Sequence, residues 1–421
     1  MKIGAAYVPA EPDFPEERIR FMMRDGQVDY VITHEKYVHL LDGYSLIFIE
    51  KGIEIDRAVH AEVQAKPPSL AYILYTSGST GAPKGIAVTN LNVCHYVRAF
   101  RDEFHPTLND VMLQYSVCSF DIFVEEVFAA LLSGAVLAIP SKKTRGNIHS
   151  LMNFIEDHHV TIVSGFPYLL QEMNDFEQFP ESIRLMISGG DVLRANYINH
   201  LLNKVLIYNT YGPSETTVCA TYFKCNGENP LPDGTFPIGR AVKGCAIEIL
   251  DEEMNAVEPG QYGEICILGD GVSNGYIGNR ERENMSFIQC ITGERLYRSG
   301  DLGYMLPDGN LAFLRRKDTQ VMIGGKRVEP YEVENVLCAC PEVKQGFVSP
   351  YIDEQGLSYM VAYFVPEKDD SRLSLMKKQM AAYLPSYMIP EFFVKLTELP
   401  LTPNGKVDVQ ALPVVMKGGK S

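Results

Sequence analysis

The sequence is poor in basic charge. Thirty-eight Lys and Arg stand against 53 Asp and Glu, a formal net charge of −15 at pH 7. That balance argues against partners such as nucleic acid or an anionic membrane surface. Any phosphate must then be held by positive charge concentrated locally. Long apolar runs are absent too: nothing approaches the ~20 residues of a membrane span, and no signal-peptide pattern opens the chain. The nine cysteines, an odd number, include no C-x-x-C pair, and Cys338 and Cys340 have the wrong spacing for zinc. They read as reduced core thiols of a cytoplasmic protein. No H-E-x-x-H or related histidine spacing occurs, and the adjacent His158 and His159 read as a helix end. The P-loop pattern is missing, since the tail "KGGKS" has Val414 where the first glycine belongs. The G-x-G-x-x-G fingerprint is missing as well.

What is present starts with "LAYILYTSGSTGAPKGIAVTN", residues 70–90. Ser77 to Gly85 are almost all small or hydroxylated and hold one cation, Lys84. Glycines let backbone N–H groups converge on an anion without Cβ clashes. Thr76, Ser77, Ser79 and Thr80 add hydroxyl donors, and Lys84 adds a mobile positive charge. The apolar run before the loop reads as a strand, and loops at strand ends are where ligands sit in α/β proteins. The expected ligand is phosphate; the competing reading is a flexible surface turn.

With 421 residues, 46% of them hydrophobic, the chain can build two or three domains. Short apolar runs alternate with helical spacing through residues 1–220, which predicts an α/β fold. "DIFVEEVFAALLSGA" (121–135) reads as a helix sharing Phe123, Val127, Ala130 and Leu131 on one face and stopping at Gly134. "VTIVSGFP", "IRLMISGG" and "KVLIYNTYGPSET" read as strands ending in small polar turns. From about 236 to 315, short strands and turn signals such as Pro307-Asp308-Gly309 predict a β-rich part. After Lys317 the pattern is mixed, with helices in "PYEVENVLCAC" and "SLMKKQMAAYLP" and a strand in "SYMVAYFVP".

Nine blocks in order carry a resemblance. They are "GAAYVPAEPDFP", "LAYILYTSGSTGAPKG", "SFDIF", "YNTYGPSETT", "YGEICILGDGVSNGY", "YRSGDL", "RRKDTQVMIGGKRVE", "LPSYMIP" and "LTPNGKVD". With them the chain resembles the adenylate-forming enzymes, specifically the amino-acid adenylation domains of nonribosomal peptide synthetases. The resemblance implies an α/β protein: a large core of α/β layers plus a β-barrel-like part over residues 1–317, and a small mobile α+β lid over 318–421. It places the active site between them. It also implies a leading segment before "GAAYVP" and a carrier domain after Asp408. The expectation is therefore a chain truncated at its start, or an unusually short one.

The implied reaction is activation of an amino acid by ATP with Mg²⁺. The carboxylate attacks the α-phosphate, pyrophosphate leaves, and an aminoacyl-adenylate forms. Charge builds on the phosphates and calls for cations and donors there. The resemblance gives the β- and γ-phosphates to Thr76, Ser77, Gly78, Ser79, Thr80, Gly81 and Lys84. It gives adenine to Ser188, Gly189, Gly190, Asn209, Thr210, Tyr211 and Gly212. Tyr211 would stack on the base and Asn209 would read its amino edge. Asp301 would accept both ribose hydroxyls, with Arg316 as a second contact. Glu215 would help hold Mg²⁺ as a hard carboxylate ligand. Lys406 would bridge the substrate carboxylate and the α-phosphate as a flexible point charge. Asp318 would be the hinge, and a second lid orientation would admit a phosphopantetheine thiol. The implied partners are the amino acid, a peptidyl carrier protein with its phosphopantetheine arm, and a small activator protein. Arg315, Pro330 and Tyr331 depart from the family's usual residues.

The implied substrate pocket falls on Asp121, Ile122, Glu125, Ser164, Met186, Ser188, Thr210, Val218 and Cys219. Asp121 pairs with the α-ammonium. Glu125 is then the one charge facing the side chain, among small or apolar neighbours. A carboxylate buried alone costs several kcal/mol or takes up a proton. A cationic substrate side chain removes that penalty, so lysine is expected first and ornithine second. The competing pocket reading has Glu125 turned to solvent or paired elsewhere, with a polar neutral substrate. Two other functions compete: an acyl- or aryl-CoA ligase of the same superfamily, which Asp121 disfavours, and an inactive truncated binding module.

Overall fold

The computed structural model describes residues 3–51, 66, 68–78, 81–227, 229–353, 356–368, 372–402 and 407–415. Ser79, Thr80 and Lys406 lie outside them. The chain divides into two compact units. The first comprises Met1–Pro9, Ala61–Leu74 and Ile86–Asp318; the second comprises Ala10–His60, Tyr75–Gly85 and Thr319–Ser421. The division after Asp318 lies one residue beyond the sequence-derived boundary. Residues 10–60 and the 75–85 loop group with the C-terminal segment, which the linear reading did not anticipate.

The first unit is organised by a seven-stranded sheet. Its order is Arg240–Ala241, Thr221–Cys225, Leu206–Tyr211, Leu185–Ser188, Ile162–Gly165, Val111–Leu113, Val136–Ala138. The last five are mutually parallel, and Thr221–Cys225 runs antiparallel to Leu206–Tyr211. The strands are continuous apolar runs because both faces are buried. On one face Ile162, Leu185, Ile187 and Tyr208 pack with the helix Asn90–Phe104 through Val93, Tyr96, Val97, Phe100 and Phe104. On the other, Val163, Met186 and Ile207 pack with the helices Ile148–Asp157 and Pro167–Asn174. Thr89 caps the Asn90–Phe104 helix: its Oγ1 accepts from the Asn92 amide at 3.2 Å, and its own N–H donates to Asn92 Oδ1 at 2.9 Å. A cap of this kind stabilises by about 1 kcal/mol.

The 121–133 segment is helical but not uniformly so. A five-residue π-turn, Glu125–Ala129, separates two short α segments, and Gly134 closes the run at φ 79°. The wider turn rotates the buried face, as insertions into a helical ladder do. Val124, Glu125, Glu126, Ala129 and Ala130 point inward, while Leu131 is 56% exposed. The expected face of Phe123, Val127, Ala130 and Leu131 is therefore corrected.

The expected β-rich part is a five-stranded antiparallel sheet. Arg295–Met305 is its long central strand, with Tyr262–Gly269 on one side and Phe287–Gln289 and Leu311–Arg316 as further partners. Cys245–Leu250 extends it beyond Tyr262–Gly269. Among the described residues its strand pairings leave the sheet open, so the barrel-like expectation is met by an open sheet.

In the second unit, Val343–Ile352, Ser358–Pro366 and Phe392–Lys395 form a three-stranded sheet. Met360, Ala362 and Phe364 face the helices Pro330–Cys338 and Leu373–Met380, while Tyr359, Val361 and Tyr363 face a smaller cluster with Leu412. The period of two along "SYMVAYFVP" produces both faces. The hairpin Val321–Ile323/Lys326–Val328 turns through Gly324 and Gly325. The helix Glu16–Asp25 and the parallel pair Tyr30–Thr33/Ser45–Phe48 also belong to this unit.

Candidate functional site

In the first unit, the end of the strand Leu206–Tyr211 and the end of Leu311–Arg316 both reach the middle of Arg295–Met305 through side chains. The Tyr211 hydroxyl donates to Asp301 Oδ2 at 2.6 Å, and Arg316 Nη1 donates to Asp301 Oδ1 at 2.7 Å. Asp301 and Arg316 are register partners across adjacent strands. Both carboxylate oxygens thus accept hydrogen bonds from neighbouring strands, which fixes the orientation of the group. Arg316 also donates to both oxygens of Asp318 at 3.0 and 2.7 Å, where this unit ends. Burial and the Asp301 carboxylate push the Tyr211 phenol well above its ordinary pKa, so it stays a donor.

Asn209 is buried, and its Nδ2 donates to the Pro237 carbonyl at 2.9 Å. That leaves its carbonyl oxygen as the side-chain atom suited to accept an amino group. Gly212 sits where a Cβ would meet Cys219 Cα at 2.6 Å and Ala220 N at 2.7 Å, so only glycine allows the two backbones to approach this closely. Ser188 is fully buried, and its Oγ has no hydrogen-bond partner among the described residues.

Glu215 is fully buried in a short turn after Pro213. Tyr276 Oη donates to its Oε1 at 2.5 Å, and the Ser273 amide donates to its backbone carbonyl at 2.9 Å. No group of three or more His, Cys, Asp or Glu among the described residues could hold a metal ion. One buried carboxylate suits Mg²⁺, which takes one or two protein carboxylates and fills its shell with phosphates and water.

The substrate-side cluster lies in the same unit. Asp121 opens the helical run, and its Oδ2 accepts from Ser214 Oγ at 2.5 Å. Burial, followed by the nearby Glu215 charge, pushes its carboxyl up to about 6 against the Ser214 bond. Glu125, four residues on, is 1% exposed, which excludes its turning to solvent. Its Oε1 accepts from Ser164 Oγ at 2.5 Å and its Oε2 from the Tyr96 hydroxyl. Burial pushes its carboxyl up to about 7, with Asp121 adding to the rise and the two hydroxyls opposing it. Among the described residues no cation pairs with it. Glu126, also buried, is bonded instead to the backbone amides of Tyr115 and Ser116 at 3.1 and 3.0 Å. Cys219 and Thr210 belong to the Glu125 neighbourhood, since the Cys219 thiol is raised by burial and by Glu125 and bonded by Thr210. Thr217 and Val218, both β-branched, adopt positive φ of 62° and 72°. Strained backbone of this kind clusters at functional sites. Ile122 is buried.

Two expected pocket residues do not join this group. Met186 packs into the opposite core with Val163 and Ile207, and by strand alternation Ser188 shares its face. Ser164 pairs with Ile187, not Met186, and a Cβ on Gly189 would lie 2.7 Å from Thr210 Oγ1. Ile187 and Gly189 therefore share the face of Ser164 and Thr210. A one-residue slip in a strand moves a side chain to the other face, so the expected pair Met186 and Ser188 is corrected to Ile187 and Gly189.

In the second unit, the predicted phosphate loop is partly described. Gly78 N–H donates to Glu332 Oε2 at 3.1 Å, and Ser77 Oγ donates to the Arg327 carbonyl at 3.0 Å. Arg18 Nη1 donates to the other oxygen of Glu332 at 2.7 Å, with both side chains below 5% exposed. A loop amide here already binds an oxyanion, which is the capacity a phosphate needs. Thr76 Oγ1 is buried without a hydrogen-bond partner among the described residues. Lys84 is 6% exposed at the start of the strand Lys84–Thr89, so the expectation of a mobile cation is corrected. Gly81 lies against Asn335, whose Nδ2 a Cβ would meet at 2.3 Å.

Sequence reasoning missed Tyr96, Ser214, Tyr276 and Ile187 as partners of the expected groups. Ser214 and Tyr276 lie inside recognised blocks, but Tyr96 lies in none.

Residues 1–277 match the AMP-binding enzyme family, and residues 332–406 match the AMP-binding enzyme C-terminal domain. Bacitracin synthase 2 of Bacillus licheniformis is 37% identical over 415 residues, covering 98% of this chain and 16% of that protein. Tyrocidine synthase 1 of Brevibacillus parabrevis is 34% identical over 98% of this chain and 38% of its own length. The chain thus spans well under half of either relative. Among solved structures, the Vibrio cholerae adenylation domain AlmE in complex with glycyl-adenosine-5'-phosphate superposes with a TM-score of 0.83 at 23% identity. That match covers 96% of this chain and 83% of the other. Holo-PA1221, a protein containing adenylation and PCP domains, gives a TM-score of 0.83 at 24% identity over 97% of this chain and 71% of its own.

Proposed function

The chain belongs to the AMP-binding enzyme family, and from that premise we propose that it activates a basic amino acid as its aminoacyl-adenylate. A substrate carboxylate oxygen attacks the α-phosphorus of ATP, the bond to the bridging oxygen breaks, and pyrophosphate leaves with its charge. The acyl group then passes to the phosphopantetheine thiol of a carrier protein, with AMP as the leaving group, in nonribosomal peptide synthesis. The relatives that cover nearly the whole chain are peptide synthases, and a solved relative carries a PCP domain beside its adenylation domain. Both support this reading. A small activator protein belongs to the same proposal.

Asp121 receives the substrate α-ammonium, and Ser214 orients its carboxylate. Asp301 takes the ribose hydroxyls while Tyr211 and Arg316, one on each oxygen, fix the orientation of its carboxylate. Tyr211 offers its ring to the adenine, with Asn209, Thr210 and the glycines at 189, 190 and 212 lining the approach. Glu215, oriented by Tyr276, would hold Mg²⁺, which when bound neutralises charge on the phosphates. The loop from Thr76 to Lys84 keeps the phosphate role its sequence implies. Lys406 bridges carboxylate and α-phosphate, and Asp318 is the hinge.

The observation that carries the substrate class is the buried Glu125, ringed by hydroxyls and by no cation among the described residues. A substrate ammonium supplies the missing charge. Lysine is favoured, then ornithine. Comparing lysine with 6-aminohexanoate, which lacks only the α-amino group, tests the class: amino-acid activation requires ATP–pyrophosphate exchange with lysine alone. Equal exchange with both acids would point to an acyl-CoA ligase and remove Asp121 from its role.

A further inference from the structure

Glu125 is long, sits on a π-turn, and has three side-chain torsions to fix. Its carboxylate accepts from two hydroxyls among the described residues, one on each oxygen. Ser164 lies on a strand of the same face. The other donor, Tyr96, comes from the helix Asn90–Phe104 and is 1% exposed. Its ring is wedged in the core that contains Val93, Phe100, Cys219 and Tyr222, with the Phe100 ring centre 6.4 Å away. Because the ring cannot turn away, the hydroxyl is a fixed donor aimed at the carboxylate.

We infer that Tyr96 is a positioning residue for side-chain selection: it and Ser164 hold the Glu125 carboxylate from opposite oxygens, so that its remaining acceptor sites meet the substrate ammonium in one orientation. A carboxylate offers about four acceptor sites, and two hydroxyls leave about two of them for a cation. Without Tyr96, Glu125 regains rotamer freedom that must be lost again each time a substrate binds. The helix Asn90–Phe104, outside every recognised block, thereby becomes part of the specificity apparatus. Burial and the Glu125 charge keep the phenol protonated, so it remains a donor. The inference rests on the basic-substrate reading above.

Tyr96→Phe removes one hydroxyl and keeps the ring that fills the core. The test measures kcat/KM of the full chain for lysine and for norleucine, which has the lysine carbon chain without the ammonium. Wild type, Tyr96→Phe, Glu125→Gln and the double variant are compared. We expect Tyr96→Phe to lower kcat/KM for lysine about tenfold, the loss expected for one hydrogen bond to a charged group. KM should carry the loss, and norleucine should be little affected. On the Glu125→Gln background the second substitution should add little, because the group it positions no longer carries charge. Equal losses for both substrates, or a full tenfold loss that persists beside Glu125→Gln, overturn the positioning role and leave the basic-substrate reading standing. A wild type that prefers norleucine to lysine overturns that reading, and the inference with it.

Discussion

If Glu125 selects the substrate by its charge, lysine selection must depend on pH in a way norleucine does not. Burial raises its carboxyl to about 7, so below neutrality it is largely protonated and offers no charge to an ammonium. A group titrating there is roughly 3% ionised at pH 5.5 and roughly 90% ionised at pH 8. The ratio of kcat/KM for lysine to that for norleucine should therefore rise about 30-fold over this range and level off above it. The groups around Glu125 are Tyr96, Ser164, Cys219, Tyr222 and Asp121. The tyrosines and the thiol are pushed above their ordinary values and stay neutral throughout. Asp121, at about 6, acts on the α-ammonium of both substrates, so that direct contribution cancels in the ratio; its charge also raises Glu125 and is contained in the value of about 7. The assay is ATP–pyrophosphate exchange with both substrates at half-unit pH steps, repeated with Glu125→Gln. The variant ratio should be flat and lower than that of wild type by about 1–3 kcal/mol at pH 8, the range for a lost buried charge partner. A wild-type ratio that stays flat or falls with pH would refute the reasoning.

Three further outcomes follow from the same account. Lys406→Ala should cut the adenylation rate by orders of magnitude, since one contact to transition-state charge is worth about 3–4 kcal/mol; ATP binding by calorimetry should persist, and wild-type exchange would remove Lys406 from its role. Asp318→Pro fixes φ at the proposed hinge, so adenylate formation should survive in single turnover while transfer to a carrier thiol fails; equal loss of both steps contradicts a hinge. Arg18→Met strips the partner from the buried Glu332 and should destabilise the fold by about 3–5 kcal/mol in urea melts, with Arg18→Met/Glu332→Leu recovering most of it; a single variant as stable as wild type contradicts the buried ion pair.

The sequence made some parts of this molecule legible and hid others for physical reasons. Three strands of the parallel sheet, Ile162–Gly165, Leu185–Ser188 and Leu206–Tyr211, and their small polar ends could be seen, because fully buried strands are written as continuous apolar runs. Asp121 could be named because it sits in the recognisable block "SFDIF", and Glu125 because it follows four residues on. The same strands hid their pleat: a run apolar on both faces does not reveal which residues share a side, and Met186 and Ser188 were chosen where Ile187 and Gly189 share the face. The π-turn at Glu125–Ala129 was invisible to a 3.6-residue period, so Leu131 was expected inside. Tyr96 and Ser214 reach their carboxylates across 29 and 93 residues, and no local pattern encodes such a contact. Lys84 read as mobile because its neighbours are small, yet it begins a buried strand.

The central claim is tested most directly by amino-acid-dependent ATP–pyrophosphate exchange, run on the 421-residue chain with the twenty standard amino acids and ornithine. The account predicts the highest exchange with lysine, ornithine second, and little with apolar side chains. Leucine or phenylalanine above both basic substrates would contradict it, as would no exchange with any amino acid.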